Sequence, residues 1–212
     1  MRIRRYSNVV YVEFCDKIDV DCNSEVLGLD EELRSRSPPW MLEAVPSYGS
    51  LAILIDPNSD PDSVARELAD LCDTIPGPKA RRVGRLHELR VRYGGEYGPD
   101  LDYIARNARV SEEEAVRIHT SKVYVCYMLG FTPGFAYLGD LDDRLVTPRL
   151  ETPRLRVAAG SVGIAGNQTG FYGVESPGGW RLIGRLEEVT FDARKDPPSS
   201  ILPGDRVRFL SV

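Results

Sequence analysis

Histidine is scarce in this 212-residue chain, which carries only His87 and His119, and cysteine is limited to Cys15, Cys22, Cys72 and Cys126. With no C-x-x-C pair and so few imidazoles, the chain offers no ligand set for zinc, which takes Cys and His at short spacings. The four thiols are expected to be reduced and buried, acting as small apolar side chains. No apolar run approaches the ~18 residues that a membrane helix needs. The start, Met1-Arg-Ile-Arg-Arg5, has neither the apolar stretch nor the cleavage site of a secretory signal. The expected compartment is the cytoplasm, with no membrane partner.

Familiar catalytic signatures are missing too. There is no G-x-x-x-x-G-K-[ST] loop to cradle nucleotide phosphates, no G-x-S-x-G elbow and no H-E-x-x-H pair. Gly160, Gly163, Gly166 and Gly170 do not spell G-x-G-x-x-G and no helical pattern follows them, which argues against a dinucleotide fold. Net positive charge is also lacking: 27 Lys and Arg face 32 Asp and Glu, for a net charge of -5. Residues 1 to 88 hold 11 basic and 16 acidic side chains, and the remainder holds 16 of each. A nucleic-acid binder needs a basic footprint to displace counterions, so that class is disfavoured.

What is present is a globular composition, 42% apolar and 28% charged, enough to bury a core. Val9 to Cys15 is β-branched and aromatic and predicts a strand. A helix is predicted over residues 23 to 36, with Val26, Leu29 and Leu33 on one face, ended by Pro38-Pro39. Two strands, 42 to 46 and 51 to 55, follow around Ser47-Tyr-Gly49. A second amphipathic helix over 62 to 75 carries Val64, Leu68 and Leu71 and is closed by Pro76-Gly-Pro78. His87 to Arg92 returns as a strand. The order βαββαβ predicts a ferredoxin-like domain over residues 1–88.

Beyond it the texture changes. Helices are expected over 101 to 108 and 112 to 119, the second opened by the capping box Ser111-Glu-Glu-Glu114. From Lys122 onward short β segments alternate with Gly and Pro, at 123 to 129, 161 to 164, 171 to 174, 180 to 183, 189 to 191 and 206 to 210. Residues 130 to 184 contain 11 of the 19 glycines. This pattern predicts a closed barrel or sandwich over residues 89–212, making the chain α+β overall.

Residues 128 to 185 hold six arginines and a run of aromatics. Glycines let a ligand or partner backbone approach closely, rings make flat walls, and the Gln168 amide both donates and accepts. Equally, the glycines could turn barrel corners while the rings fill the interior. His119 is the one imidazole near this block. It suits either acid/base work or the C-terminal end of a helix dipole.

Five blocks resemble one family in the same order. They are Tyr93-Gly-Gly-Glu-Tyr-Gly-Pro-Asp100, Met128-Leu-Gly-Phe-Thr-Pro-Gly-Phe-Ala-Tyr-Leu-Gly139, Thr147-Pro-Arg149 with Thr152-Pro-Arg154, Gly160-Ser-Val-Gly-Ile-Ala-Gly-Asn-Gln-Thr-Gly170, and Ser176-Pro-Gly-Gly-Trp180 with Ile183-Gly-Arg185. The family includes the PxpB subunit of 5-oxoprolinase, the sporulation kinase inhibitor KipI and allophanate hydrolase subunit 1. The resemblance implies an amino-terminal α+β domain followed by a cyclophilin-like β-barrel. It also implies work in a heteromeric complex with a cyclophilin-like partner subunit of the PxpC or KipA type and a third subunit of the PxpA type. Such a complex opens 5-oxoproline to glutamate at the expense of ATP. The alternative is a KipI-like inhibitor that grips a sensor histidine kinase.

Carried onto this chain, residue chemistry nominates His119 and Gln168 for catalysis. Phe135, Tyr137, Ser161 and Trp180 are the expected substrate contacts, with Arg154 or Arg181 holding a carboxylate. No metal is expected, and ATP is expected to be used by the complex without an ATP motif in this chain. The chain alone is expected to be inactive, its glycine-lined barrel mouth completed by another protein.

Overall fold

Two hairpin strands open the chain, β1 (Arg2–Tyr6) and β2 (Val9–Glu13), paired antiparallel from Arg2 opposite Glu13 to Tyr6 opposite Val9. Helix α1 (Val20–Arg36) follows. Its start is set by Asp19, whose carboxylate accepts the Asp21 and Cys22 amide hydrogens, and its end by Ser37 in the left-handed region. Strands β3 (Met41–Pro46) and β4 (Ser50–Ile55) lead into α2 (Pro61–Thr74), where Pro61 opens the first turn. The sheet order is β1-β2-β4-β3, antiparallel throughout. Val26, Leu29 and Leu33 of α1 and Val64, Leu68 and Leu71 of α2 bury against Val10, Val12, Leu51, Ile53 and Ile55. The structure, a computed structural model, describes residues 1–74 and 84–212, so the expected Pro76-Gly-Pro78 stop lies outside the described residues. The chain divides into two units, Met1–Val83 and Gly84–Val212.

The first unit differs from expectation in one strand. Order β2-β4-β3 is that of three ferredoxin-like strands, but β1 takes the fourth place, and β5 (Leu86–Tyr93) joins the second unit. The reason is pairing. β5 runs parallel to β13 (Arg206–Ser211) from Leu86 opposite Arg206 to Val91 opposite Ser211, which satisfies its backbone in the barrel.

In the second unit, helices α3 (Leu101–Ala108) and α4 (Glu112–Thr120) precede β6 (Val123–Leu129) and β7 (Ala136–Gly139). Then come β8 (Arg154–Val157), β9 (Ser161–Ala165), β10 (Gln168–Phe171), β11 (Ser176–Gly178) and β12 (Arg181–Leu186). Seven strands close into a barrel in the order β10-β7-β6-β13-β5-β12-β9, while β8 and β11 form a separate pair. The barrel core holds Val91, Cys126, Ala136, Leu138, Val162, Ile164, Phe171, Ile183, Val207 and Phe209, joined by Ile104 of α3 and Ile118 of α4. The cap of α4 forms as predicted, Ser111 Oγ accepting from the Glu114 amide at 3.1 Å, but the Glu114 carboxylate turns to Arg117. Residues 189 to 191 form no strand; Phe191 makes a single bridge to Ser199.

The cysteines also correct an expectation. Cys15, just past β2, and Cys22, in the first turn of α1, form a disulfide across a separation of 7 residues. The Asp19 cap turns the helix start back toward the strand end, bringing the two Cα atoms to 6.3 Å, within disulfide range. Cys72 and Cys126 are free, and burial raises both thiols above their ordinary range. No helix among the described residues is long and apolar enough to cross a membrane.

Candidate functional site

Strand alternation sorts the candidate residues onto two sides of the barrel wall. Ala136 and Leu138 of β7, Val162 and Ile164 of β9, and Phe171 of β10 point inward. Phe135 and Tyr137, Ser161, Gly163 and Ala165, and Gln168 and Gly170 therefore fall on the outer side. There, Phe135, Tyr172, Trp180, Leu182, Val157 and Ala165 make a second small core with Tyr137 packed on it. Phe135 is its hub, with ring centroids 4.7 Å from Tyr137, 4.8 Å from Tyr172 and 5.2 Å from Trp180. Edge-to-face geometry at these separations is favourable beyond burial alone.

The glycines of this face make room for the chain's own tryptophan. A Cβ on Gly163 would lie 3.1 Å from Trp180 Cβ, and one on Gly170 would lie 3.2 Å from Trp180 Cζ3. Gly166, with φ of +58° at the β9–β10 turn, is the open one. The expected glycine-lined mouth is thus occupied by Trp180, and Phe135 and Trp180 are a buried floor, 1% and 5% exposed. Tyr137 keeps partial exposure; burial raises its phenol, opposed by the positive charge of Arg149. Gln168 and Ser161 are buried in their strands. Ser161 accepts from the Tyr172 amide through its carbonyl at 3.0 Å.

The two arginines nominated for a carboxylate are already engaged. Arg154 Nη2 donates to Asp100 Oδ1 at 2.9 Å, and the other oxygen of Asp100 accepts from the Leu182 amide at 2.6 Å. Arg154 is therefore a strut between β8 and β12, reaching through Asp100. Asp100 has no distinguishing signal in the sequence. It stands at the start of α3, where a cap would be expected, yet it makes no side-chain cap bond. Arg181 lies flat on Tyr103, its guanidinium carbon 3.5 Å from the ring centroid, and donates through Nε to the Pro148 carbonyl at 3.0 Å. Nothing in the sequence points to Tyr103, whose position on the exposed side of α3 gives no hint of a cation partner.

His119 is separated from this face by the barrel wall. It is 1% exposed, stacked on Phe209 at 4.9 Å. Thr169 Oγ1 donates to the Gly163 carbonyl, so at 2.8 Å it accepts from His119 Nε2–H. Nδ1 then accepts from the Tyr93 hydroxyl at 2.7 Å. With both nitrogens satisfied and burial holding its pKa down to about 3, the ring is neutral. His119 closes a polar link inside a core, on the other side of the wall from the expected substrate contacts. A sequence cannot separate this role from acid/base work, because the two differ only in which side of the wall the ring enters.

Two clefts stand out among the described residues. One, of about 270 Å³, is lined by Arg92, Tyr97, Arg185, Leu186 and Glu187. The other, of about 350 Å³ in the first unit, is lined by residues that include Arg2, Arg4, Glu13, Phe14 and Cys15. Neither is lined by Phe135, Tyr137 or Trp180. Among the described residues, no group of three or more His, Cys, Asp or Glu is placed to hold a metal.

An α/β unit followed in the chain by a closed barrel with an aromatic outer face defines a class of module. The chain belongs to the family of the carboxyltransferase domain, subdomain C and D, whose pattern matches residues 1–201. Among its particular relatives is the B-type subunit of 5-oxoprolinase from Bacillus subtilis (strain 168), 36% identical over 217 residues that cover 97% of this chain and 90% of that protein. Another is the corresponding 5-oxoprolinase subunit of Escherichia coli O157:H7, 41% identical over 81% of this chain and 78% of that protein. The crystal structure of TTHA0988 superimposes with a TM-score of 0.85 at 37% identity; it covers 100% of this chain, which spans 40% of that one.

Proposed function

We propose that this chain is a non-autonomous subunit of an ATP-dependent 5-oxoprolinase, an assembly that adds water across the lactam of 5-oxoproline and releases glutamate. The observation that carries this reading is its 36% identity to a B-type 5-oxoprolinase subunit over 97% of its length. The chain contributes a binding face for substrate or partner, formed by Tyr137, Gln168 and Arg181 over the Phe135 and Trp180 floor. Phe131 supports a docking role for that region. It is 63% exposed, stacks edge-on against Phe135 at 5.8 Å, and holds φ at +67°. Backbone strain of this kind at an exposed ring is a feature of contact sites.

The two clefts among the described residues do not fit ATP. Neither is lined by a glycine or a lysine, the residues with which a phosphate-cradling loop holds a triphosphate. ATP handling is accordingly assigned to the partner subunits, one cyclophilin-like and one of the PxpA type. The alternative, inhibition of a sensor histidine kinase, draws on the same face and has no separate observation in its favour.

The test is co-purification with the two partner subunits followed by an assay of glutamate release. The isolated chain is expected to release none, and the reconstituted complex to do so with ATP. Turnover by the chain alone, or none from the assembled complex, overturns the reading.

A further inference from the structure

Strands β5 and β12 run antiparallel, with Arg92 directly opposite Arg185. Like charges at facing positions of a ladder repel, so each guanidinium needs counter-charge. Arg92 has it, donating through Nε and Nη2 to Glu187 Oε1 at 2.9 and 2.8 Å. Glu187 is shared further with Arg90 at 3.4 Å, and Arg90 is also paired with Glu188. Arg185 has none: among the described residues, no carboxylate comes within 4.0 Å of it, the limit for an ion pair. Its Nε–H is shut off from water and meets no acceptor. A donor on a charged group left unmet in this way is costly. What holds the side chain is a ring, its guanidinium carbon 5.2 Å from the centroid of Tyr97, with Arg92 on the same ring at 6.0 Å.

These groups line the cleft of about 270 Å³ described above. The cleft is open to solvent, and its volume lies just below the ~300–1,000 Å³ typical of small-molecule pockets, so its walls can hold only a small group. Its charge is restricted as well. An anion would supply the counter-charge that Arg185 lacks; Glu187 offsets Arg92 in the same lining, so one negative charge balances what remains and a second would be in excess.

We propose that this cleft is a subsite for a small monoanionic carboxylate, with Arg185 taking the anion and Tyr97 and Leu186 bounding the rest of the molecule. That the carboxylate is the one on 5-oxoproline rests on the oxoprolinase reading; that the cleft takes a carboxylate does not. Sequence alone nominates Arg154 and Arg181, but Asp100 and Tyr103 engage those two; of the two arginines that line this cleft, Arg185 is the one with no carboxylate partner among the described residues.

The experiment is a proton–nitrogen NMR titration of the intact chain at constant ionic strength, with acetate, 5-oxoproline and inorganic phosphate as probes. The Arg185 Nε–H resonance, assigned by its loss in Arg185→Lys, is expected to move saturably with acetate and 5-oxoproline, and about tenfold less tightly with phosphate. In Arg185→Gln, the Tyr97 and Leu186 amide signals should no longer respond, at an unchanged melting temperature. If that variant does not fold, Arg185→Lys should bind acetate about tenfold more weakly, because it keeps the charge and loses the fork. No saturable response to acetate, a response that survives Arg185→Gln, or tighter binding of phosphate overturns the proposal. Response to acetate without response to 5-oxoproline supports the cleft and counts against the substrate reading, which the activity of the reconstituted complex reports separately.

Discussion

His119 shows how burial decides the role of a residue. In the fold its pKa sits at about 3 against an ordinary 6.5, because desolvation penalises the charged ring. The unfolded chain takes up a proton near the ordinary value and the native chain does not, so stability is full above it and falls as pH drops below it. Between pH 7 and pH 5 the loss from this group comes to about 2 kcal/mol. His119→Gln can still donate to Thr169 and accept from Tyr93, and is expected to flatten that slope in urea unfolding measured at both pH values. Equal slopes in the two proteins would remove His119 as the titrating group. Residue types carry much of the site chemistry at the level of sequence: aromatics, arginines and an amide do cluster here. Which arginine is spare is not legible there. Arg154 is claimed by Asp100, 54 positions away, and Arg185 is left over by ladder register, neither of which leaves a local pattern.

At the scale of elements, capped and amphipathic segments are readable, and α1, α2, α3 and α4 all fall close to their predicted ranges. The elements that escape are short or atypical. β1 is Arg2-Ile-Arg-Arg-Tyr6, an exposed edge strand rich in charge, as edges tend to be. β7, β8 and β11 have four residues or fewer, too few for a period of two to show, and β11 contains Pro177. The predicted strand at 189 to 191 does not form because Phe191 lies over Gly134, where a glycine at φ of +71° leaves room for the ring. Strands β7 and β10 pack closely against each other. A Cβ on Gly170 would run into the Ala136 carbonyl of the neighbouring β7 and crowd Trp180. Gly170→Ala is expected to cost about 1–3 kcal/mol in denaturant unfolding and to shift tryptophan fluorescence. Unchanged stability would show that β7 and β10 can part without penalty.

For the whole molecule, the α+β class and the closed barrel agree with the sequence reading, while the strand at 86 to 93 crosses from the expected first domain to the second unit. We propose that the second unit folds by itself, since the seven barrel strands and helices α3 and α4 all lie within residues 84 to 212 and share one core. A fragment of residues 84–212 is expected to unfold cooperatively in urea. A fragment of residues 94–212, which lacks β5, is expected to show no such transition. Cooperative unfolding of the shorter fragment would refute the assignment of β5 as a barrel stave.

The side-by-side placement of β5 and β13 also bears on the order of events during synthesis. The four strands of the first sheet have all been synthesised by residue 55, whereas β5 must wait for residues 206 to 211 before its parallel neighbour exists. Loop closure over so long a separation is slow. The nascent barrel therefore stands open along one seam until residues 206 to 211 have been made, and a message that stops before them would release it unzipped.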